Sequence, residues 1–335
     1  MRRAIAKATR CAKLCVARFE IVAPRAMVRR TKRERSTTVR PRRSVLYMPG
    51  LNERALEKAK TLPADALILD LEDSVAPESK VAARDNVCEA VKGGGYGRRE
   101  LVIRVNAIET AWGMDDLRAA ASVEPDAILV PKVATPGDIV TVAKVLGAIN
   151  APAKVRLWAM METPSSVLNS REIAALGADP ENRLACLVMG TNDLLKESRA
   201  RALHNRIAVV PWLAMIIVAA RAYGLDILDG VYNDFRDETG FRDESEHGRT
   251  LGMDGKTLIH PSQVAPCNEV FSPTEEEVSW ARKIIAAFED PANARKGVIT
   301  LEGKMVERLH LVMARRTVAI ADGIEAMRRT QEEWF

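Results

Sequence analysis

Short apolar runs recur along this chain at a spacing that few folds accommodate. From residue 44 onward, runs at 44–49, 66–70, 101–105, 127–131, 155–161, 184–190, 227–231 and 256–259 begin 22, 35, 26, 28, 29, 43 and 29 residues apart. Most are nearly continuous in Val, Ile, Leu, Ala and Met rather than alternating, the pattern of parallel strands covered on both faces. Between them, stretches at 52–62, 79–91, 113–122, 136–149, 165–176 and 211–223 carry the helical period. Eight strand–helix units within about 250 residues match the count and size of a TIM (β/α)8 barrel, with α/β class throughout. An open doubly wound sheet is the competitor. It has fewer strands and a glycine-rich first turn, and neither G-x-G-x-x-G nor G-x-x-x-x-G-K-[ST] occurs here. The glycine run at 93–97 precedes a strand rather than following one, so it reads as a flexible connection and not as a phosphate cradle.

The barrel accounts for residues 43–272, and charge sets off what lies ahead of it. Residues 1–43 hold 15 Lys/Arg against Glu20 and Glu34, a local +13, while the remainder nets −8. The basic pI therefore belongs to the leader, and no nucleic-acid surface is expected on the folded body. The leader, residues 1–42, fits a disordered tail or a later start, an Arg-rich organellar transit peptide, or a basic binding arm. A cytoplasmic location goes with the first reading and the mitochondrial matrix with the second. The longest apolar run, 212–220, is far short of the ~20 residues that span a bilayer, so no membrane partner is expected. Cys11, Cys15, Cys88, Cys186 and Cys267 contain no C-x-x-C pair, which suits a reducing compartment. His204, His247, His260 and His310 form no zinc spacing. After the barrel, residues 273–335 read as a helical extension: a helix at 274–288 with a threonine cap and acidic first turn, a linker at 291–303, and a final helix at 304–328.

Polar residues stand where the strands run out: Glu72 and Asp73, Arg104 and Asn106, Lys132, Glu162, Asp193, Asp229 and Asn233, and His260. Barrel active sites form at the C-terminal strand ends, so these side chains should converge on one mouth. Glu162 and Asp193, ending the fifth and sixth strands, are placed to share a hard divalent cation; Mg2+ needs few protein oxygens and keeps waters for substrate to displace. Their other reading is as rim carboxylates that cap helices or pair with Lys and Arg. Arg104 suits bidentate capture of a substrate carboxylate, or else a salt bridge to Glu72 or Asp73.

The segments SVLYMPG, LDLEDSVAPESK, IRVN, METPSSVLN, GTNDL and GKTLIHPSQ, in this order, resemble the HpcH/HpaI aldolase and citrate-lyase beta-subunit family, and GKMVERLHL resembles the C-terminal segment of its acyl-CoA lyases. The resemblance runs from about residue 43 to 324. It implies a Mg2+-dependent barrel acting on acyl-CoA esters as a homotrimer or a multiple of it. By matching motif, Glu162 and Asp193 would be the metal ligands, Arg104 would bind the substrate carboxylate, and Glu72 and Asp73 would lie beside the metal's waters. Arg43, Ser44, Tyr47 and Pro49 would contact CoA or the acid. The family's lyases supply a catalytic Asp from a neighbouring subunit within G-x-M-I-D; here Gly303, Met305, Val306 and Glu307 stand in that pattern, with Glu in place of Asp. The expected reaction is retro-Claisen cleavage of malyl-CoA, methylmalyl-CoA or citramalyl-CoA to acetyl-CoA or propionyl-CoA and glyoxylate or pyruvate, with Glu307 as acid/base. The alternatives are (3S)-malyl-CoA thioester hydrolysis, or a citrate lyase beta subunit acting on a carrier-protein thioester. A non-enzymatic scaffold with a nucleic-acid arm is the remaining rival.

Overall fold

Period-2 alternation on each strand divides the core in two, and that division fixes which polar side chains reach the barrel interior. The structure, a computed structural model, describes residues 39–201 and 206–332; leader residues 1–38, with Cys11 and Cys15, and also His204, lie outside the described residues. Strands β1 (Ser44–Pro49), β2 (Ala66–Asp70), β3 (Glu100–Arg104), β4 (Ala127–Val130), β5 (Arg156–Met161), β6 (Leu184–Met189), β7 (Asp226–Asp229) and β8 (Gly255–Leu258) pair in parallel, in sequence order, and close β8 onto β1. Val45, Ala66, Ile68, Val102, Leu129, Trp158, Cys186, Val188 and Leu228 fill the interior. Their strand neighbours, such as Leu46, Leu67, Leu69, Ile103, Ile128 and Ile227, pack against the surrounding helices. The expected (β/α)8 barrel is therefore the fold, with strand bounds within a residue or two of the apolar runs.

The helices are α1 (Glu53–Ala59), α2 (Lys80–Gly93), α3 (Gly113–Ser122), α4 (Pro136–Ala148), α5 (Pro164–Leu168), α6 (Ser170–Ala175), α7 (Thr191–Ser198), α8 (Val210–Tyr223), α9 (Glu238–Leu251), α10 (Val264–Phe271), α11 (Glu275–Glu289) and α12 (Arg308–Glu332). The single helix expected at 165–176 is two, α5 and α6, broken at Asn169, whose amide donates to the Ala134 carbonyl at 2.9 Å. Helices α7, α9 and α10 carry no expectation from the periodicity; α9 is polar along most of its length and buries only Phe241, Ser245 and Gly248.

The extension departs further. Residues 298–307 form an antiparallel hairpin, β9 (Val298–Leu301) and β10 (Lys304–Glu307), so the final helix begins at Arg308 and not at 304. The reason is the turn: Glu302 (φ 49°) and Gly303 (φ 77°) are both left-handed, the two-residue geometry that suits hairpins. Ala281, Ile284, Phe288, Ile299, Val306, Leu311 and Ala314 give this piece a small core of its own.

Packed structure also starts earlier than the charge boundary at 42/43 placed it. Arg40 pairs with Asp126 at 2.8 Å, and Arg42 plugs the lower end of the barrel, bound to Glu100 and Asp226 with its guanidinium 5.0 Å from the Trp158 ring centre. No described helix is long and apolar enough to cross a membrane.

Candidate active site

Inward alternation along β2, from Ala66 through Ile68, delivers Asp70 to the barrel mouth, and its register partner on β3 is Arg104. Arg104 Nε and Nη2 donate to the two Asp70 oxygens at 2.6 and 2.7 Å. Burial opposes an ionised Asp70, but the Arg104 guanidinium outweighs it and holds the carboxyl below its ordinary range. The remaining corner, Nη1, stands 2.8 Å from Glu72 Oε2 and donates to Asp73 Oδ2 at 3.2 Å. With the Nε/Nη2 edge filled by Asp70, the salt bridge expected between Arg104 and Glu72 or Asp73 is what is observed, and a substrate carboxylate would have the Nη1/Nη2 end to bind. Beneath the guanidinium lies the Tyr47 ring, 4.8 Å away, with its hydroxyl 4.0 Å from the Met160 sulfur. Burial pushes the Tyr47 phenol up.

Glu72 is buried, and its Oε2 has no hydrogen bond: Arg104 Nη1 is close enough for an ion pair but does not point an N–H at it. Burial raises its pKa to about 8, with Arg104 opposing and the neighbouring Asp73, Glu162 and Asp70 charges adding to the rise. Asp73, by contrast, is 67% exposed.

Across the mouth, Glu162 follows β5 and is 1% exposed. Its Oε1 accepts the Lys132 backbone N–H at 2.7 Å, with Lys132 Nζ 3.5 Å away. The same ammonium donates to Asp193, in the first turn of α7. Burial lifts Glu162 to about 7 against the pull of Lys132; Asp193 goes the other way, because the Lys132 hydrogen bond outweighs its burial. Gly190 is required here: a Cβ would stand 2.3 Å from Glu162 Cβ and 2.7 Å from Oε2.

These observations meet the demands of a hard divalent ion. The donors are carboxylate oxygens, a cationic group already sits between two of them, and an orphaned buried oxygen lies nearby. Among the described residues no three His, Cys, Asp or Glu side chains come together as a group that could hold a metal ion; Glu162 and Asp193 are a pair of carboxylates sharing one ammonium.

Other expected residues are placed elsewhere. Arg43 immediately precedes β1 and Ser44 opens it, at the end of the barrel away from the mouth. Arg43 binds Asp65 through Nε and Nη2 (2.9 and 2.7 Å), and Ser44 Oγ donates to Asn268 at 2.7 Å. Only the upper half of that motif, Tyr47 and the exposed Pro49, belongs to the mouth. Asp229 falls on the outward parity of β7 and is buried against Arg206 (2.6 Å) and Lys256 (3.0 Å), in the helix layer. Asn106 ties down Asp116 and the Leu71 carbonyl. Asn233 exchanges hydrogen bonds with Asn192, and His260 stacks on Phe235 at 4.5 Å, both on the rim. Glu307 sits on the hairpin that packs with α11 and α12. Arg316 of α12 is anchored to Asp254 at 2.7 Å, at the lower end, so Glu307 is not brought to the mouth of its own chain. Sequence reasoning gave Asp70 no role, although it stands in LDLED; counting inward positions from Ala66 finds it.

A family model described as HpcH/HpaI aldolase/citrate lyase matches residues 43–261. The chain belongs to this family. Among the family's proteins, a (3S)-malyl-CoA thioesterase of Cereibacter sphaeroides is 50% identical over 286 residues, covering 85% of this chain and 96% of the relative. An L-malyl-CoA/beta-methylmalyl-CoA lyase of the same species is 36% identical, covering 86% and 96%. A solved structure of CitE from Mycobacterium tuberculosis, in complex with magnesium, acetoacetate and coenzyme A, superposes with a TM-score of 0.66 at 27% identity, covering 83% of this chain and 97% of that one.

Proposed function

We propose that this chain is a Mg2+-dependent enzyme that hydrolyses a malyl-CoA-type thioester to the hydroxy acid and free CoA. The observation that carries the choice of hydrolysis is the 50% identity, over nearly the whole relative, to a (3S)-malyl-CoA thioesterase, against 36% to the lyase. This reverses the order of the two readings drawn from motifs alone, which do not separate C–C cleavage from hydrolysis. Glu162 and Asp193 would hold Mg2+ in place of the Lys132 ammonium; bound there, the ion supplies Lewis-acid polarisation of a substrate oxygen. Arg104 Nη1 takes the substrate's distal carboxylate where it now holds the exposed carboxylate of Asp73. Burial and the neighbouring carboxylates raise Glu72 to about 8, which suits it to serve as the mouth's acid/base group. Hydrolysis breaks the C–S bond, with the hydroxyl of water going to the acyl carbon and its proton to the departing thiolate.

The lyase reading keeps one specific support, the carboxylate of Glu307 in the G-x-M-I-D-like position, acting from a neighbouring copy in a homotrimer. Incubation with Mg2+ and (3S)-malyl-CoA, following free thiol and glyoxylate separately, decides. Free thiol without glyoxylate is expected; glyoxylate without thiol overturns hydrolysis in favour of the lyase. Mixing Glu307→Gln with Glu162→Ala tests the neighbour's part. Activity regained in the mixture places Glu307 in a partner's mouth, and full activity of Glu307→Gln alone removes it from the reaction.

A further inference from the structure

Asp70 binds no substrate in the reading above, yet both halves of the acid-binding side depend on it. Its carboxylate is 1% exposed, clamps the Nε/Nη2 edge of Arg104, and also accepts the backbone N–H groups of Glu72 (2.9 Å) and Ser74 (3.1 Å). One side chain thus fixes the guanidinium and the turn that carries Glu72 and Asp73. Tyr47 holds the guanidinium plane at 4.8 Å. A planar fork pinned along one edge has its free corner set in space. Charge balance alone does not explain the arrangement, because Glu72 stands 2.8 Å from Nη1 without making a hydrogen bond, and Asp73 reaches the same nitrogen from solvent.

We propose that Asp70 is a positioning residue: by occupying the Nε/Nη2 edge of Arg104 it turns the opposite Nη1/Nη2 end of the guanidinium toward a ligand, and so makes the mouth select acyl groups that end in a carboxylate. The selectivity rests on the acyl-CoA reading; the clamp itself does not. Two variants test it. Asp70→Asn removes the charge and one acceptor; Asp70→Glu keeps the charge, one methylene further out, and protects the test if the first variant fails to fold. Turnover of malyl-CoA is compared with that of 3-hydroxybutyryl-CoA, in which a methyl replaces the distal carboxylate. In the variants kcat/KM for malyl-CoA falls about 100-fold, chiefly through KM, while the analogue loses far less. Equal losses on both substrates, or an unchanged preference, overturn the proposal.

A second readout needs no substrate. In protein labelled with 15N-arginine, the Arg104 Nε–H resonance, identified by its loss in Arg104→Lys, exchanges slowly in the wild type and rapidly in Asp70→Asn. Rapid exchange in the wild type, or protection that survives in the variant, overturns the clamp. A wild-type enzyme with no turnover of malyl-CoA overturns the functional reading instead, and the resonance still decides the clamp.

Discussion

The two ends of the barrel are both built from ion pairs, and they differ in how the charges balance. At the lower end Arg40, Arg42, Arg43, Arg221 and Arg316 face Asp126, Glu100, Asp226, Asp65 and Asp254, cation for carboxylate. At the mouth Asp70, Glu72, Asp73, Glu162 and Asp193 share Arg104 and Lys132. A cavity of about 680 Å³ also opens at the lower end, between residues 39–43 and α11 and α12. Its charged lining is paired and much of its wall is apolar, including Phe271, Trp280, Ile284 and Met313. Uncompensated carboxylate sets the mouth apart from this paired end, because buried like charges cost free energy that only a bound cation or a proton offsets.

Removing carboxylates at the mouth should therefore remove function. Glu162→Ala and Asp193→Ala are each expected to lower activity at least about 100-fold and to abolish the Mg2+ signal in calorimetric titration. Retained Mg2+ affinity in either variant would break the assignment of the mouth as the cation site. At the lower end the same kind of deletion should act on stability. Arg42→Ala strands the buried Glu100 and leaves Asp226 only its longer contact to Arg316 at 3.4 Å, and is expected to cost about 3–5 kcal/mol in urea unfolding, with kcat of the folded enzyme kept. A loss of kcat with unchanged stability would erase the distinction between the ends.

The mouth's surplus charge also sets a sign for pH. Glu72 is raised from 4.5 to about 8, so between those values the folded protein keeps a proton that the unfolded chain has released. Its contribution to stability is full below about pH 4.5 and declines as pH rises through about 8. Asp229 has the opposite sign: Lys256 and Arg206 outweigh its burial and hold it below 3.8, so its contribution is present above that value and lost as pH falls. In EDTA, Glu72→Gln should gain Tm relative to the wild type as pH is raised from about 5 to 9. A difference that stays flat with pH would mean that Glu72 ionises without penalty.

How far these contrasts were legible in sequence depends on what each rested on. Apolar runs located all eight strands, because strands covered on both faces are mostly apolar; the buried charges among them, such as Asp70, Arg104 and Lys256, are ion-paired. Glu162, Asp193 and Arg104 were named from their places at strand ends, and the structure sets them around one mouth. Asp229 stands at a strand end too, but on the outward parity, and Arg43 and Ser44 lie at the start of β1, away from the mouth that Tyr47 lines further along it. Direction along the strand and parity across it decide these cases, and a motif read as a block carries neither. The hairpin at 298–307 was hidden for another reason: its signal is two left-handed residues, Glu302 and Gly303, in a stretch whose apolar positions also fit a helix.

The smallest expected effect tests whether pairing alone, without burial, explains the lower end. Arg249 of α9 reaches Glu277 of α11 at 2.9 and 3.1 Å, with side chains 31% and 50% exposed. Glu277 is independently engaged, since it closes the α11 capping box by accepting the Thr274 N–H at 2.8 Å. Losing Arg249 therefore leaves no orphaned buried charge, and water solvates the freed carboxylate. Arg249→Ala should cost only about 0.2–1 kcal/mol, and the cost should shrink as salt is raised, because an exposed pair is screened. Urea midpoints at low and high salt measure both. A salt-independent loss as large as that of Arg42→Ala would mean that α9 and α11 are held as a buried unit, and that burial does not separate the strong pairs at this end from the weak ones.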